Sequence, residues 1–65
     1  MKITYDPDTD TRTVVLKDTP SAEGDEDKPG VILDFDDQGD VVGFEILDAS
    51  RRVTDSRHVE FTAVA

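Results

Sequence analysis

Several positions in the middle of the chain follow the spacing of a calcium-binding loop. They fit positions 1, 3, 5, 6 and 12 of the pattern D-x-D-x-[DN]-G-x5-E and are Asp34, Asp36, Gln38, Gly39 and Glu45. Gln38 is not the residue that the pattern expects, and the calcium loop needs a helix on each side, whereas both flanks here alternate like β-strands. We interpret the segment as the solvated end of a hairpin. Asp34, Asp36 and Glu45 remain metal-ligand candidates for one alternative function, weak divalent-cation binding.

The chain's single histidine lies among the residue types of a serine-hydrolase triad. Asp55, Ser56 and His58 are close in sequence, but such near neighbours on an extended chain point in different directions. Carboxylate pairs are abundant throughout the chain and so identify no acid–base dyad, which needs one buried member with a shifted pKa. The sequence therefore predicts a non-enzymatic protein with no catalytic residue and no cofactor.

A complete β-hairpin is the clearest structural pattern. Apolar residues recur at every second position in two runs that flank a turn, namely Val31, Leu33 and Phe35, then Val42, Phe44 and Ile46. A loop at 36–39 with Gly39 in a left-handed conformation pairs Leu33 with Val42 and Val31 with Phe44. This register places both apolar sets on one face, and a slip of one residue would separate them.

Weaker patterns predict the other elements. Alternation in residues 1–5 and 13–17 predicts a first hairpin with a turn at 6–10, and the loop at 18–30 includes a segment, 22–27, suited to a polar edge strand. Residues 48–51 predict a helical turn capped by Asp48, and alternation of Val59, Phe61 and Ala63 predicts a final strand. The predicted fold is one mainly β domain over residues 1–65: a small antiparallel sheet or β-roll of two hairpins plus a C-terminal strand, with at most one short helical turn.

Two parts of the chain carry a family resemblance. The sequences KITYDP at 2–7, PGVILDFD at 29–36, Gly39 and VGFEILDAS at 42–50 resemble the small prokaryotic family named domain of unknown function 2283. The resemblance covers roughly residues 1–52. It implies a stand-alone protein of about this length and brings no activity with it. Family members tend to be helical beyond Arg52, whereas the pattern here predicts a strand.

The length of the chain limits its stability. A chain of 65 residues buries only about 60% of its unfolded surface. It has no cysteine for a disulfide or a metal cluster, so association into a homodimer is the remaining common source of stability. No charged-then-apolar leader begins the chain, and no apolar run approaches the roughly 20 residues that span a bilayer. We therefore expect a soluble cytoplasmic protein with no membrane partner.

The charge balance is strongly acidic. Sixteen acidic and seven basic residues give a net charge of −9. Nucleic-acid binding is disfavoured because phosphate contacts need lysine and arginine. The bias toward aspartate is typical of an organism with high internal salt, where a Debye length of about 3 Å screens repulsion between like charges. An acidic mesophilic protein is the alternative.

Apolar residues also occupy the predicted outer side of the hairpin. Ile32, Val41 and Leu47 project there beside Gly43, where a lone sheet should present polar residues to water. These four residues are the predicted interaction surface. The first functional hypothesis is a small self-associating interaction or structural module. The second is an acidic, antitoxin-like partner that neutralises a basic protein.

Overall fold

Five β-strands form one antiparallel sheet in the computed structural model, which describes residues 1–64. In chain order the elements are β1 (Lys2–Asp6), β2 (Thr11–Val15), β3 (Glu23–Lys28), β4 (Val31–Phe35), β5 (Val41–Ile46) and a short helix, α1 (Ala49–Arg52). The order across the sheet is β1-β2-β5-β4-β3. The predicted mainly β fold, with its single short helical turn, is confirmed. No helix in residues 1–64 has the length and apolar character needed to cross a membrane.

Local turn chemistry forms the first hairpin. Asp6 accepts a hydrogen bond on its side chain from the backbone N–H of Asp8 at 2.9 Å, and Asp10 closes the turn with a φ of 51°. Aspartate tolerates this left-handed conformation better than most residues and often bonds the backbone two positions on. The polar segment predicted as an edge strand is β3, which pairs with β4. Both hairpins and this edge strand are therefore present.

The predicted register of the second hairpin is wrong by two residues. Leu33 pairs with Phe44 and Val31 with Ile46. The first residue of the shift arises at the loop, where the N–H of Asp36 donates to the carbonyl of Asp40 at 2.9 Å and so pairs these two residues. A β-bulge in β5 then adds the second residue of the shift. The combined shift of two keeps β4 and residues 43–46 of β5 on their predicted faces, whereas the bulge moves Val41 to the other face. Gly39 has the predicted left-handed conformation, with a φ of 85°.

Strand pairing gives the sheet two different sides. We call one side the apolar face; it is formed by Ile3, Tyr5, Val14, Val31, Leu33, Phe35, Val42, Phe44 and Ile46. The other side, the polar face, carries among others Thr13, Ile32, Asp34 and Glu45. The buried apolar residues within residues 1–64 are Val14, Val42 and Ala49. The sheet thus has a small core on one side only.

The predicted C-terminal strand is absent from residues 53–64, which we call the tail. The guanidinium of Arg12, on the apolar face opposite Tyr5, donates to the backbone carbonyls of Asp55 at 3.4 Å, Ser56, and His58 at 3.3 Å. These carbonyls therefore bind a side chain instead of a neighbouring strand. Phe61, in the middle of the predicted strand, is 81% exposed.

Asp48 occupies the N-cap position of α1, as predicted, but it has a φ of 53° and its side chain makes no capping hydrogen bond. Asp10 takes that role from the first hairpin: its carbonyl accepts from the N–H of Ala49 at 2.8 Å, and its carboxylate accepts from the N–H of Ser50 at 3.0 Å. Hydrogen bonds from the side chains of Ser50 and then Tyr5 lower the pKa of Asp10. Asp10 thus joins the helical turn to β1.

Candidate functional site

The calcium-loop pattern does not form a calcium loop. Asp36 serves the hairpin end, where its carboxylate accepts from the N–H groups of Gln38 and Asp40, both at 2.9 Å. Asp34 and Glu45 lie on the polar face as diagonal neighbours on β4 and β5. Within residues 1–64 no three acidic, histidine or cysteine side chains form a group suited to a metal ion. Of the three metal-ligand candidates, the structure brings together only Asp34 and Glu45.

The carboxyl groups of Asp34 and Glu45 share a proton-dependent contact. The pKa of Glu45 is raised, first by its hydrogen bond with Asp34, then by desolvation and by repulsion from the same carboxylate. A raised carboxyl pKa favours the folded state when the group is protonated. This contribution to the stability of the fold is fully present below the ordinary pKa of Glu45. It is lost as the pH rises through the pKa that Glu45 has in the folded protein. At neutral pH the pair is a local source of repulsion.

The triad-like residues Asp55, Ser56 and His58 lie in the tail and form structural contacts there. The carboxylate of Asp55 accepts from the backbone N–H of Arg57 at 3.0 Å, while Ser56 and His58 contribute their backbone carbonyls to the Arg12 guanidinium. Arg57 lies over the aromatic ring of Tyr5, with 5.5 Å between its guanidinium carbon and the ring centroid. This contact is a cation–π pair. These residues hold the tail against one end of the apolar face.

The structure divides the four predicted interaction residues between two sides of the sheet. Ile32 lies on the polar face, opposite Glu45. The bulge in β5 places Val41 opposite Phe35 and hence on the apolar face, so the expectation that Ile32 and Val41 share a side is wrong. Leu47 follows β5 and donates its N–H to the carbonyl of Gly30 at 2.8 Å. The four residues therefore do not form one patch.

Gly43, the fourth of these residues, has a packing role. It lies opposite Val15 in the β2–β5 pairing. A Cβ atom at this position would come within 2.7 Å of the carbonyl oxygen of Val14. Glycine in a strand commonly marks such a close approach of another backbone.

The apolar face is a surface suited to binding. It forms one side of a single sheet, and the hydrogen bonds and the cation–π contact that join the tail to it involve Arg12 and Tyr5. Ile3 is 41% exposed and Val41 is 38% exposed. In the tail, Phe61 is 81% exposed. A contiguous apolar patch on a soluble domain commonly marks an interaction site.

The two edges of the sheet differ in charge. β3 forms one edge, and all its residues are exposed; its acidic members are Glu23, Asp25, Glu26 and Asp27. β1 forms the other edge and carries one base, Lys2, and one acid, Asp6, both exposed. Charged residues on an edge strand discourage pairing with another chain. By that criterion β3, with charges at five of its six residues, is better protected than β1, with charges at two of its five.

Comparison with known proteins places this sheet in a family. The model of the family described as "Protein of unknown function (DUF2283)" matches residues 2–50. The chain belongs to this family. It is also 41% identical over 51 residues to the uncharacterised protein MJ0789 of Methanocaldococcus jannaschii, an alignment that covers 78% of this chain and 43% of the relative. The chain thus spans less than half the length of this relative. No solved structure matches it.

The family match confirms the resemblance seen in the sequence and covers the whole sheet. Residues 2–50 include β1 to β5 and the start of α1. The tail lies beyond the match, whereas Arg12 and Tyr5, which the tail contacts, lie within it.

Two residues that organise the surface, Arg12 and Asp10, were not predicted from the sequence. Arg12 and Asp10 both act through partners about 40 or more residues away. Arg12 did leave a signal, because it occupies the same side of β2 as Val14, where alternation expects an apolar residue. A charged group in such a position needs nearby acceptors, and the tail carbonyls supply them. Asp10 left no such signal in a turn rich in aspartate.

Proposed function

We propose that this chain is a small, non-enzymatic protein-interaction module that associates with a second copy of itself. The supporting observation is the single-layer sheet, whose apolar face retains exposed residues while the tail presents Phe61 with 81% of its surface exposed. A chain of 65 residues has little core to spare. Covering apolar surface in a dimer supplies about 25 cal/mol for each Å² removed from water.

Sedimentation equilibrium of a matched pair of variants tests this proposal. Phe61→Asp removes an exposed aromatic group, and Thr62→Asp adds the same charge at the neighbouring exposed residue. Neither change touches the sheet, so both monomers should keep their unfolding temperature. We expect a wild-type dimer that is weakened by Phe61→Asp and unchanged by Thr62→Asp. A wild-type monomer at millimolar concentration in 2 M KCl would remove self-association from the proposal.

The acidic edge supports a second function, the neutralisation of a basic protein. β3 presents four acidic side chains on an exposed strand, and complementary charge accelerates association and selects partners. Titration with poly-L-lysine in 0.1 M KCl provides the test. Asp25→Asn with Asp27→Asn should weaken binding more than Asp37→Asn with Glu60→Gln, which removes the same charge elsewhere. Equal effects would assign the binding to net charge alone and not to β3.

A further inference from the structure

We propose that two copies of the chain pair antiparallel through β1 about a two-fold axis at Thr4, joining their sheets into one. This inference rests on the proposed self-association and names its surface. Within residues 1–64, β2 is the one strand that pairs with β1, so the outer side of β1 has no strand beside it. Such a row of backbone N–H and C=O groups is a template for a strand from another chain.

The charges of the two edge strands select β1. If β3 paired with its own copy, the acidic residues at four of its six positions would be brought against one another. Like charges directly opposite each other destabilise a sheet. β1 has one lysine at its start and one aspartate at its end, and antiparallel pairing about the centre of such a strand brings opposite charges together.

The sequence of β1 is complementary to itself in one register. With Thr4 on the axis, Lys2 lies opposite Asp6 of the second copy, and Ile3 lies opposite Tyr5 of the second copy. The first pair joins opposite charges, and the second joins a β-branched and an aromatic side chain. Pairs of both kinds stabilise antiparallel strands, by roughly 0.2–1 kcal/mol each.

Neighbouring registers lose these matches. If the two-fold axis moves to Ile3, Ile3 lies opposite Ile3 of the second copy and Lys2 lies opposite Thr4. If the axis moves to Tyr5, Tyr5 lies opposite Tyr5 of the second copy and Asp6 lies opposite Thr4. Both leave a charge without its opposite. In the favoured register Met1 comes opposite Pro7, whose missing N–H ends the ladder. The charge pairs and the end of the ladder at Pro7 thus favour the same register.

The same pairing extends the apolar face across the axis. Ile3 and Tyr5 both lie on that face, so Tyr5 of one copy would cover Ile3 of the other, which is 41% exposed in the single chain. The tail is held over Tyr5 by Arg57. Phe61, a few residues further on, is 81% exposed. Each tail is therefore anchored at a residue that faces the second copy in the joined sheet.

Charge reversal tests the register directly. Lys2→Asp alone sets acid against acid in both symmetry-related pairs, and Asp6→Lys alone sets base against base. Mixed together, the two variants are complementary at both pairs. In 0.2 M KCl we expect each variant alone to dimerise about tenfold more weakly than wild type, and an equimolar mixture to recover wild-type affinity as a heterodimer.

Two controls match these variants. Lys28→Asp makes the charge change of Lys2→Asp on β3, so it should weaken the dimer only through the greater net charge and much less than Lys2→Asp does. Asp8→Lys makes the charge change of Asp6→Lys within the same turn and should not weaken the dimer. The Asp6 side chain accepts a hydrogen bond from the Asp8 N–H, so thermal unfolding of Asp6→Lys checks that the turn survives. Equal weakening by Lys28→Asp and Lys2→Asp, or a mixture no tighter than its components, would contradict pairing through β1.

A disulfide at the axis gives an independent test at high salt. The chain has no cysteine, so Thr4→Cys introduces a single thiol. Directly opposed residues in antiparallel strands have Cα atoms about 4.5–5.5 Å apart, within the range of a disulfide. In 2 M KCl under mild oxidation, Thr4→Cys should form a covalent dimer at least tenfold faster than Thr54→Cys in the exposed tail.

The outcomes separate this inference from the proposed function. A wild-type dimer that shows neither rescue by mixing nor faster cross-linking of Thr4→Cys would contradict pairing through β1 and leave self-association intact. A wild-type monomer would contradict both. Cross-linking of Thr4→Cys together with rescue by mixing supports the register with Thr4 on the axis.

Discussion

Replacing Gly43 with alanine measures how closely β2 and β5 approach each other. The added Cβ would lie 2.7 Å from the carbonyl oxygen of Val14 and 3.6 Å from the Cα of Val15. Both atoms belong to the backbone, so no rotation of a side chain relieves the contact and β2 must move away. Overpacking of this kind costs about 1–3 kcal/mol. Alanine recovers about 0.5–1 kcal/mol relative to glycine within a strand.

The expected net loss in the free energy of unfolding is therefore about 0–2.5 kcal/mol, centred near 1.3 kcal/mol. In a domain of this size the central value corresponds to a decrease of roughly 5–10 °C in the unfolding temperature. Thermal unfolding followed by circular dichroism in 2 M KCl measures it, with one protein concentration throughout, because association with a second copy also stabilises the folded state.

Gly24→Ala is the matched control. A Cβ at Gly24 would lie 3.3 Å from the Asp34 carboxylate oxygen and 3.4 Å from a methyl carbon of Ile32. Both neighbouring groups are side chains that can move, so we expect a change within about 0.5 kcal/mol. Equal unfolding temperatures for the two alanine variants would refute the close approach of β2 to Gly43.

Three further predictions concern the loop, the carboxyl pair and salt. Gly39→Val should destabilise by more than about 1 kcal/mol and Gly39→Asn by much less, because Gly39 has a φ of 85° and no atom near its missing side chain; equal denaturation midpoints would contradict a turn that depends on this conformation. Glu45→Gln should raise the unfolding temperature at pH 7, with the gain shrinking toward pH 4 as Glu45 itself becomes protonated in the wild type; Glu60→Gln is the control, and a gain independent of pH would contradict repulsion from Asp34. Stability should increase between about 0.1 M and 2 M KCl if the net charge of −9 reflects adaptation to high salt; an unfolding temperature that stays constant would contradict that adaptation.

The hairpins were predictable because their signals are local. Alternation identified β4 and β5, and Gly39 identified the turn between them. The register required two facts that alternation does not contain. One is the hydrogen bond from Asp36 to the carbonyl of Asp40, and the other is the bulge in β5. Both depend on how the loop packs, and their combined shift of two residues leaves the alternation unchanged.

The predicted C-terminal strand is absent because a residue far away in the sequence binds the tail. Val59, Phe61 and Ala63 do alternate as in a strand, but alternation does not specify a pairing partner. In the structure Arg12, which is 43 residues before Asp55, takes up the carbonyl groups at the start of the tail. The same limitation explains the misplaced interaction surface. Ile32 and Val41 alternate correctly within their own strands, and the bulge alone moves Val41 to the other side.

The net charge and the edge charges give association through β1 two opposing dependences on salt. Two copies that each carry a net charge of −9 repel each other, and the Debye length falls from about 10 Å at 0.1 M toward 3 Å at 1 M. Added salt therefore strengthens the wild-type dimer, although it weakens each exposed pair between Lys2 and Asp6. The mixed Lys2→Asp and Asp6→Lys variants should thus show their greatest advantage over the separate variants at low salt, where the wild-type dimer is weakest. An advantage that grows with KCl concentration would mean that these two residues do not meet across the interface.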